Sequence, residues 1–292
     1  MSTSAPHSIS SGSRSSSLSP SDQSPGSSSV NLVGEGEGEP STQISSVDQA
    51  SVGRTSVGRT LRWGYLGRMP WAEAFALQRW LRQRLKEGKG EEHLLLLEHD
   101  PVFTLGRSAD GGDVLADEAW LRGHGVTVEA TDRGGQVTYH GPGQLVGYPI
   151  LNLSPDRRDI RRYVRDLQEI LVDTLESYNI VAHPGEGKER IGVWVGDRKI
   201  ASIGVHLSRW LTTHGFALNV STDLDFFRSI VACGLPAVEM TSILRERGQD
   251  PPLAQVARRF QQRFEERFQR RAAALSPQDI SALRQRASAL CS

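Results

Sequence analysis

The chain has 292 residues, and its 34 Lys plus Arg are balanced by 34 Asp plus Glu, so no bulk positive charge drives it onto nucleic acid. No apolar run reaches the ~20 residues of a membrane helix, and two cysteines, Cys233 and Cys291, make neither a disulfide framework nor a zinc site by themselves. The composition leaves a cytoplasmic globular protein, with no membrane association and no metal expected.

Residues 1–60 are rich in Ser and Gly, with apolar residues too scattered to bury a core. They include an acidic Gly-Glu stretch at 34–40 and a tandem Ser-Val-Gly-Arg-Thr at 51–60. The single arginine before Arg54 is too few for an amphipathic transit peptide. We therefore expect a disordered, untargeted leader over 1–60 and one catalytic domain over 61–292.

In that domain the first periodic segment is 71–87, where Trp71, Ala74, Phe75, Leu77, Leu81 and Leu85 recur at helical spacing. The continuous run Leu94–Leu97 reads as a buried strand, with a short neighbour at Val102–Leu105. Strands are expected again at 125–130 and 144–153. Over 159–178, Ile160, Val164, Leu167, Leu171 and Leu175 fall within about 80° of arc on a helix. Strands joined by tight turns follow at 191–195, 199–207 and 214–220, then a short helix at 223–229. Phe260, Phe264 and Phe268, spaced by four, mark a helix, and Ser276-Pro277 starts the last one. This mixture without strict βαβ alternation predicts a single α/β (α+β) domain with a mixed, largely antiparallel sheet.

Three segments carry candidate chemistry. Arg133-Gly134-Gly135-Gln136-Val137-Thr138-Tyr139-His140 runs into Gly141-Pro142-Gly143-Gln144. Its paired glycines permit positive φ and a close backbone approach to a ligand. It is neither a phosphate loop nor a dinucleotide fingerprint, and an ordinary turn-rich hairpin would use the same dipeptides. Cys233 sits in Ala232-Cys233-Gly234-Leu235-Pro236, a turn able to display a nucleophile, although an inert buried thiol is the other reading. Lys199 opens Lys199-Ile200-Ala201-Ser202-Ile203-Gly204. Its pleat parity with Ala201 and Ile203 points it toward the core, where an ammonium needs a partner. Cys291, near the chain end, is assigned no role.

The 133–144 run, the 199–204 run, His214-Gly215-Phe216-Ala217-Leu218-Asn219-Val220 and the Cys233-Gly234 turn together resemble the octanoyltransferases of lipoate biosynthesis, the lipoate-protein ligase B family. The likeness spans about residues 62–250, in the family's order. Ala232 departs from the proline often found before the family's cysteine, which removes some stiffness from that turn. The resemblance implies the biotin/lipoate-protein ligase-like catalytic fold. It also implies transfer of an octanoyl or lipoyl group from acyl carrier protein to a lysine of lipoyl domains, those of 2-oxoacid dehydrogenases and the glycine cleavage H protein. Cys233 would form the acyl thioester, and Lys199 would act as a charge favouring the thiolate or as a base. Arg133–His140, Ser202, Ile203, Gly204, Gly215, Phe216 and Ala217 would bind substrate, with Val137 along the acyl tail. His140 would steady the oxyanion or shuttle a proton, His206 and His214 would be structural, and no cofactor would be needed. The alternative is an ATP-dependent lipoate or biotin ligase of the same fold. Arg158, Arg161, Arg162 and Arg165 cluster opposite the apolar stripe of their helix, as a landing site for an acidic carrier or a solvated face.

Overall fold

The computed structural model describes residues 59–187, 190–231 and 238–292. In chain order the strands are β1 (Thr60–Met69), β2 (Glu92–His99), β3 (Val102–Leu105), β4 (Thr127–Ala130), β5 (Val137–His140) and β6 (Gln144–Ile150), then β7 (His183–Pro184), β8 (Gly192–Val195), β9 (Arg198–Ser208), β10 (Leu211–Asn219) and β11 (Arg271–Ala274). The helices are α1 (Trp71–Lys86), α2 (Glu118–Gly123), α3 (Ile160–Glu176), α4 (Ile243–Arg247), α5 (Leu253–Phe268) and α6 (Pro277–Ala289).

Eight strands form one sheet in the order β11-β1-β2-β6-β10-β9-β8-β7, and β4-β3-β5 form a second. In the large sheet β1 pairs in parallel with β2 and β11, and the remaining pairs are antiparallel. The sheet is thus mixed and largely antiparallel, as its short turns predict.

The run Leu94–Leu97 is apolar at every position because both faces of β2 are covered. Leu94 and Leu96 join the core against α3 and α5. Leu95 and Leu97 join the core against α1 and α6. The phenylalanines of α5 lie in the first core, with Phe264 and Phe268 stacked at 4.3 Å. A third core fills the small sheet with Phe103, Val137 and Tyr139 beneath Trp120.

Two elements differ from expectation. The 223–229 segment is a 3-10 turn, Leu224–Ser229, begun by the Asp223 side chain. β11 pairs with β1 at the sheet edge, a strand with no alternation of its own, Arg-Ala-Ala-Ala. It is anchored by buried Arg270, which contacts Glu92 at 2.8 Å and Asp156 at 3.2 Å. None of the helices among the described residues is long and apolar enough to cross a membrane.

Candidate active site

The site is built on the end of the β6-β10-β9 ladder, closed by the loop that enters β5. Beyond Ser202, β9 has no β8 partner. There the Gly134 amide donates to the Val205 carbonyl at 3.0 Å, so the loop takes over the exposed edge. Gly135 follows with φ +88°, a conformation that a β-carbon disfavours. Arg133 is buried and reaches from this loop to β3, its Nη2 donating to the Thr104 carbonyl at 2.6 Å and to Thr104 Oγ1 at 2.9 Å. The loop is thereby tied to both sheets, to β9 in the large one and to β3 in the small one.

Between loop and ladder lies a cavity of about 480 Å³, within the size range of small-molecule sites. Arg133, Gly134, Gly135, Gln136, Val137, Thr138, His140, Lys199, Ser202, Ile203, Gly204, Gly215, Phe216 and Ala217 all line it. Three of the sequence segments singled out above, 133–140, 199–204 and 214–217, therefore meet in one space. Tyr139 does not line it. Strand alternation turns its ring to the other face of β5, where it stacks on Phe226 at 4.7 Å in the third core. Cys233 lies outside the described residues.

Lys199 is buried, at 1% exposure, and its Nζ stands 5.5 Å from the centroid of the Trp194 ring. The simple pleat is broken here. Trp194 pairs with Lys199 and Val193 with Ala201, which leaves one extra residue in β9. This β-bulge buries Lys199, Ile200 and Ala201 in succession; bulges commonly re-aim side chains beside active sites. Gly192 is required opposite. A β-carbon there would stand 2.6 Å from Lys199 Cε, and its φ is +144°. The backbone of Lys199 is tied to the segment after 237, its amide donating to the Glu239 carbonyl at 2.8 Å and its carbonyl accepting from the Thr241 amide at 2.9 Å.

Sequence reasoning did not single out the polar chain behind the cavity. Gln144 Nε2 donates to the Tyr139 carbonyl at 3.2 Å and to Asn219 Oδ1 at 2.9 Å. Asn219 Nδ2 donates to the Thr241 carbonyl at 3.0 Å. Gln144 Oε1 is left to accept from His140 Nδ1 at 2.8 Å. The signal available was two fully buried amides, Gln144 and Asn219, in otherwise apolar strands; buried amides require partners. Burial, foremost, lowers the His140 pKa well below the usual histidine range. The ring is a neutral imidazole with its proton on Nδ1. In that form Nε2 is an acceptor and not a donor. His99 is neutral likewise, pushed down to about 4 by burial. Its Nδ1 donates to the Met69 carbonyl at 2.9 Å, and its Nε2 accepts from the Tyr148 hydroxyl at 2.8 Å.

His214 also lines the cavity. It holds φ +58° in mid-strand, and Nε2 donates to Asp132 Oδ1 at 2.7 Å. That hydrogen bond is the main reason the Asp132 carboxyl is held down to about 2. The strained residue joins β10 to the loop just before Arg133, a positioning contact in keeping with the structural role expected for it. His206 accepts a similar duty, its Nδ1 lying 3.1 Å from the Asp132 carbonyl.

The apolar wall adds residues that the sequence reading placed only in a core stripe. Ile160 and Val164 of α3, with Ile191, line the cavity, and Ile160 remains 37% exposed at its rim. The Asp159 side chain caps α3, accepting from the amides of Arg161 at 2.8 Å and Arg162 at 3.1 Å.

A mixed sheet with helices over both faces is the fold this chain shares with lipoate ligases. A bi-partite lipoate protein ligase from Thermoplasma acidophilum shares it with a TM-score of 0.58 over 78% of this chain and 91% of that one, at 19% identity. Sequence relatives narrow the class. The octanoyltransferase of Solibacter usitatus is 50% identical over 201 residues, 68% of this chain and 89% of that protein. That of Rubrobacter xylanophilus is 47% identical over 197 residues, 66% and 86% of the two. Residues 70–265 match the lipoyl protein ligase A/B catalytic domain, and the chain belongs to that family. It is an acyltransferase.

Proposed function

We propose that this chain transfers an octanoyl or lipoyl group from acyl carrier protein to the lysine of lipoyl domains, in two steps. The Cys233 thiolate attacks the thioester carbonyl, the carrier's sulfur leaves with the bonding pair, and an acyl-thioester enzyme results. The acceptor amine then displaces Cys233. Thioester exchange is near energetic balance and amide formation from a thioester is downhill, so ATP has no part. Lys199 favours the thiolate by charge or takes the thiol proton.

The observation that carries this reading is the placement of Lys199, buried at the cavity and hydrogen-bonded through its backbone to Glu239 and Thr241, the segment that follows Cys233 in the chain. On the other side Val231 is held by the Asp113 carbonyl at 2.8 Å. Apolar walls from Val137, Ile203, Phe216 and α3 suit a medium-length acyl tail.

An acidic donor is supported by α3. Arg161, Arg162 and Arg165 are exposed and have no carboxylate partner among the described residues. Asp166 is instead paired with Arg157, Glu169 and Asp173 with Arg267, and Asp159 serves as the cap. At 100° per residue the arginines begin about 60° from Val164. A positive stripe thus borders the cavity rim.

The test is intact-mass analysis of the full chain after incubation with octanoyl-carrier protein. The wild type should gain one octanoyl group and pass it to a lipoyl domain, while Cys233→Ser gains none that can be passed on. Transfer by Cys233→Ala from free octanoate and ATP would select the ATP-dependent ligase instead.

A further inference from the structure

The orientation of one buried ring follows from atoms that leave no choice. The Tyr139 and Thr241 carbonyls can only accept. The Gln144 atom facing Tyr139 and the Asn219 atom facing Thr241 must therefore be amide nitrogens. Asn219 Oδ1 then accepts from Gln144, and Gln144 Oε1 is the group that meets His140. The proton of His140 is thus on Nδ1. Its Nε2 has no hydrogen-bond partner among the described residues, and His140 lines the cavity. The same chain of bonds runs on from Asn219 to Thr241 and to the backbone of Lys199. The bare acceptor and the lysine are therefore held by one framework.

We infer that His140 Nε2 accepts a hydrogen bond from the incoming lysine amine and aims its lone pair at the acyl carbon, which makes His140 a catalytic residue of the second step and no part of an oxyanion hole. This rests on the two-step transfer proposed above. A bare ring nitrogen attracts an N–H and repels an oxyanion, so among the groups that pass through the cavity it selects the nucleophile. The acceptor lysine enters as its neutral amine, having left one proton in solvent. Its nitrogen bonds to the acyl carbon, the carbon–sulfur bond breaks, and sulfur departs with the bonding pair. A second proton goes from nitrogen to sulfur, directly or through Lys199. His140 keeps its own proton throughout, because Gln144 Oε1 has no other donor among the described residues.

Two measurements on the full chain test this. In the first, ¹⁵N NMR of the histidine-labelled protein, assigned by comparison with His140→Gln, should show Nδ1 protonated and Nε2 bare; a proton on Nε2 overturns the inference. In the second, single-turnover reactions separate acylation by octanoyl-carrier protein from transfer to a lipoyl domain. His140→Phe should slow transfer roughly tenfold or more with a much smaller change in acylation. His140→Gln, whose amide oxygen can stand near the place of Nε2, should recover part of the loss. Equal slowing of both steps, or transfer unchanged in His140→Phe, overturns the inference while leaving the two-step reaction standing. Absence of any octanoyl-enzyme in the wild type overturns the transfer reading and this inference with it. Should His140→Phe fail to fold, the tautomer and the His140→Gln rates decide alone.

Discussion

Two of the buried polar clusters among the described residues are built differently. At the β1–β2 end, Arg270 and Glu92 are both nearly inaccessible, and Arg59 and Asp156 complete a four-member ionic group. Beside the cavity, His140, Gln144 and Asn219 form a neutral chain that ends on one bare acceptor. Full charges, once buried, must meet opposite charges, so the first cluster pairs acid with base and ties the C-terminal strand to the sheet, while Arg270 Nη2 and Asp156 Oδ1 make no hydrogen bond. Neutral amides and imidazoles can be held with one valence directed into a cavity at far lower desolvation cost. The first arrangement joins chain segments, and the second makes a site.

Glu92→Ala should expose the difference most strongly. It leaves Arg270 short of its closest carboxylate and the Asn152 amide without its acceptor at 3.0 Å. A loss of about 3 kcal/mol is expected, read as a lowered denaturation midpoint, with acyl transfer per folded molecule unchanged. A smaller loss would mean that Asp156 alone can hold the guanidinium.

Acid should act on the neutral histidines. His99 has its folded pKa pushed down to about 4 from 6.5, so the unfolded chain binds more protons between those values. Its contribution is complete above the unfolded value and is lost as pH falls toward about 4, amounting to about 2 kcal/mol between about pH 7 and about pH 5. His140 shifts in the same direction and adds to the slope. Comparing wild type with His99→Gln by denaturant melts at both pH values measures the His99 share; an equal slope in the variant would remove it.

The exposed stripe on α3 should show the smallest effect, since rim charges steer encounter more than they stabilise complexes. Arg161→Glu with Arg165→Glu should raise the KM for carrier-bound octanoate roughly threefold to tenfold, the difference shrinking with added salt. Turnover of octanoyl-N-acetylcysteamine, which carries no acidic protein, should stay the same. An unchanged KM would make this stripe a solvated helix face.

Much of the fold was legible in local pattern. The period of 71–87, 159–178 and the phenylalanine helix marks one buried face, and the unbroken Leu94–Leu97 marks a strand covered on both. β11 was not legible, because Arg-Ala-Ala-Ala has no alternation and becomes a strand only by pairing with β1. At the candidate site, the 133–144 loop and Lys199 could be picked out from their own residues, while 214–217 was marked only by the family resemblance. The ring of Tyr139 faces away from the cavity because adjacent residues of one strand face opposite ways, and a motif written as a string hides that.

The amino-acid order alone determined which stretches become helix or strand and which segments carry the chemistry, since both follow from neighbours a few residues apart. Only the tertiary structure decided that a bulge buries Lys199, that Gln144 and Asn219 set the His140 tautomer, and that the acids of α3 are paired away from its arginines. These outcomes depend on which donor, acceptor or charge lies across the sheet or on the next helix, and such partners are far away in the chain.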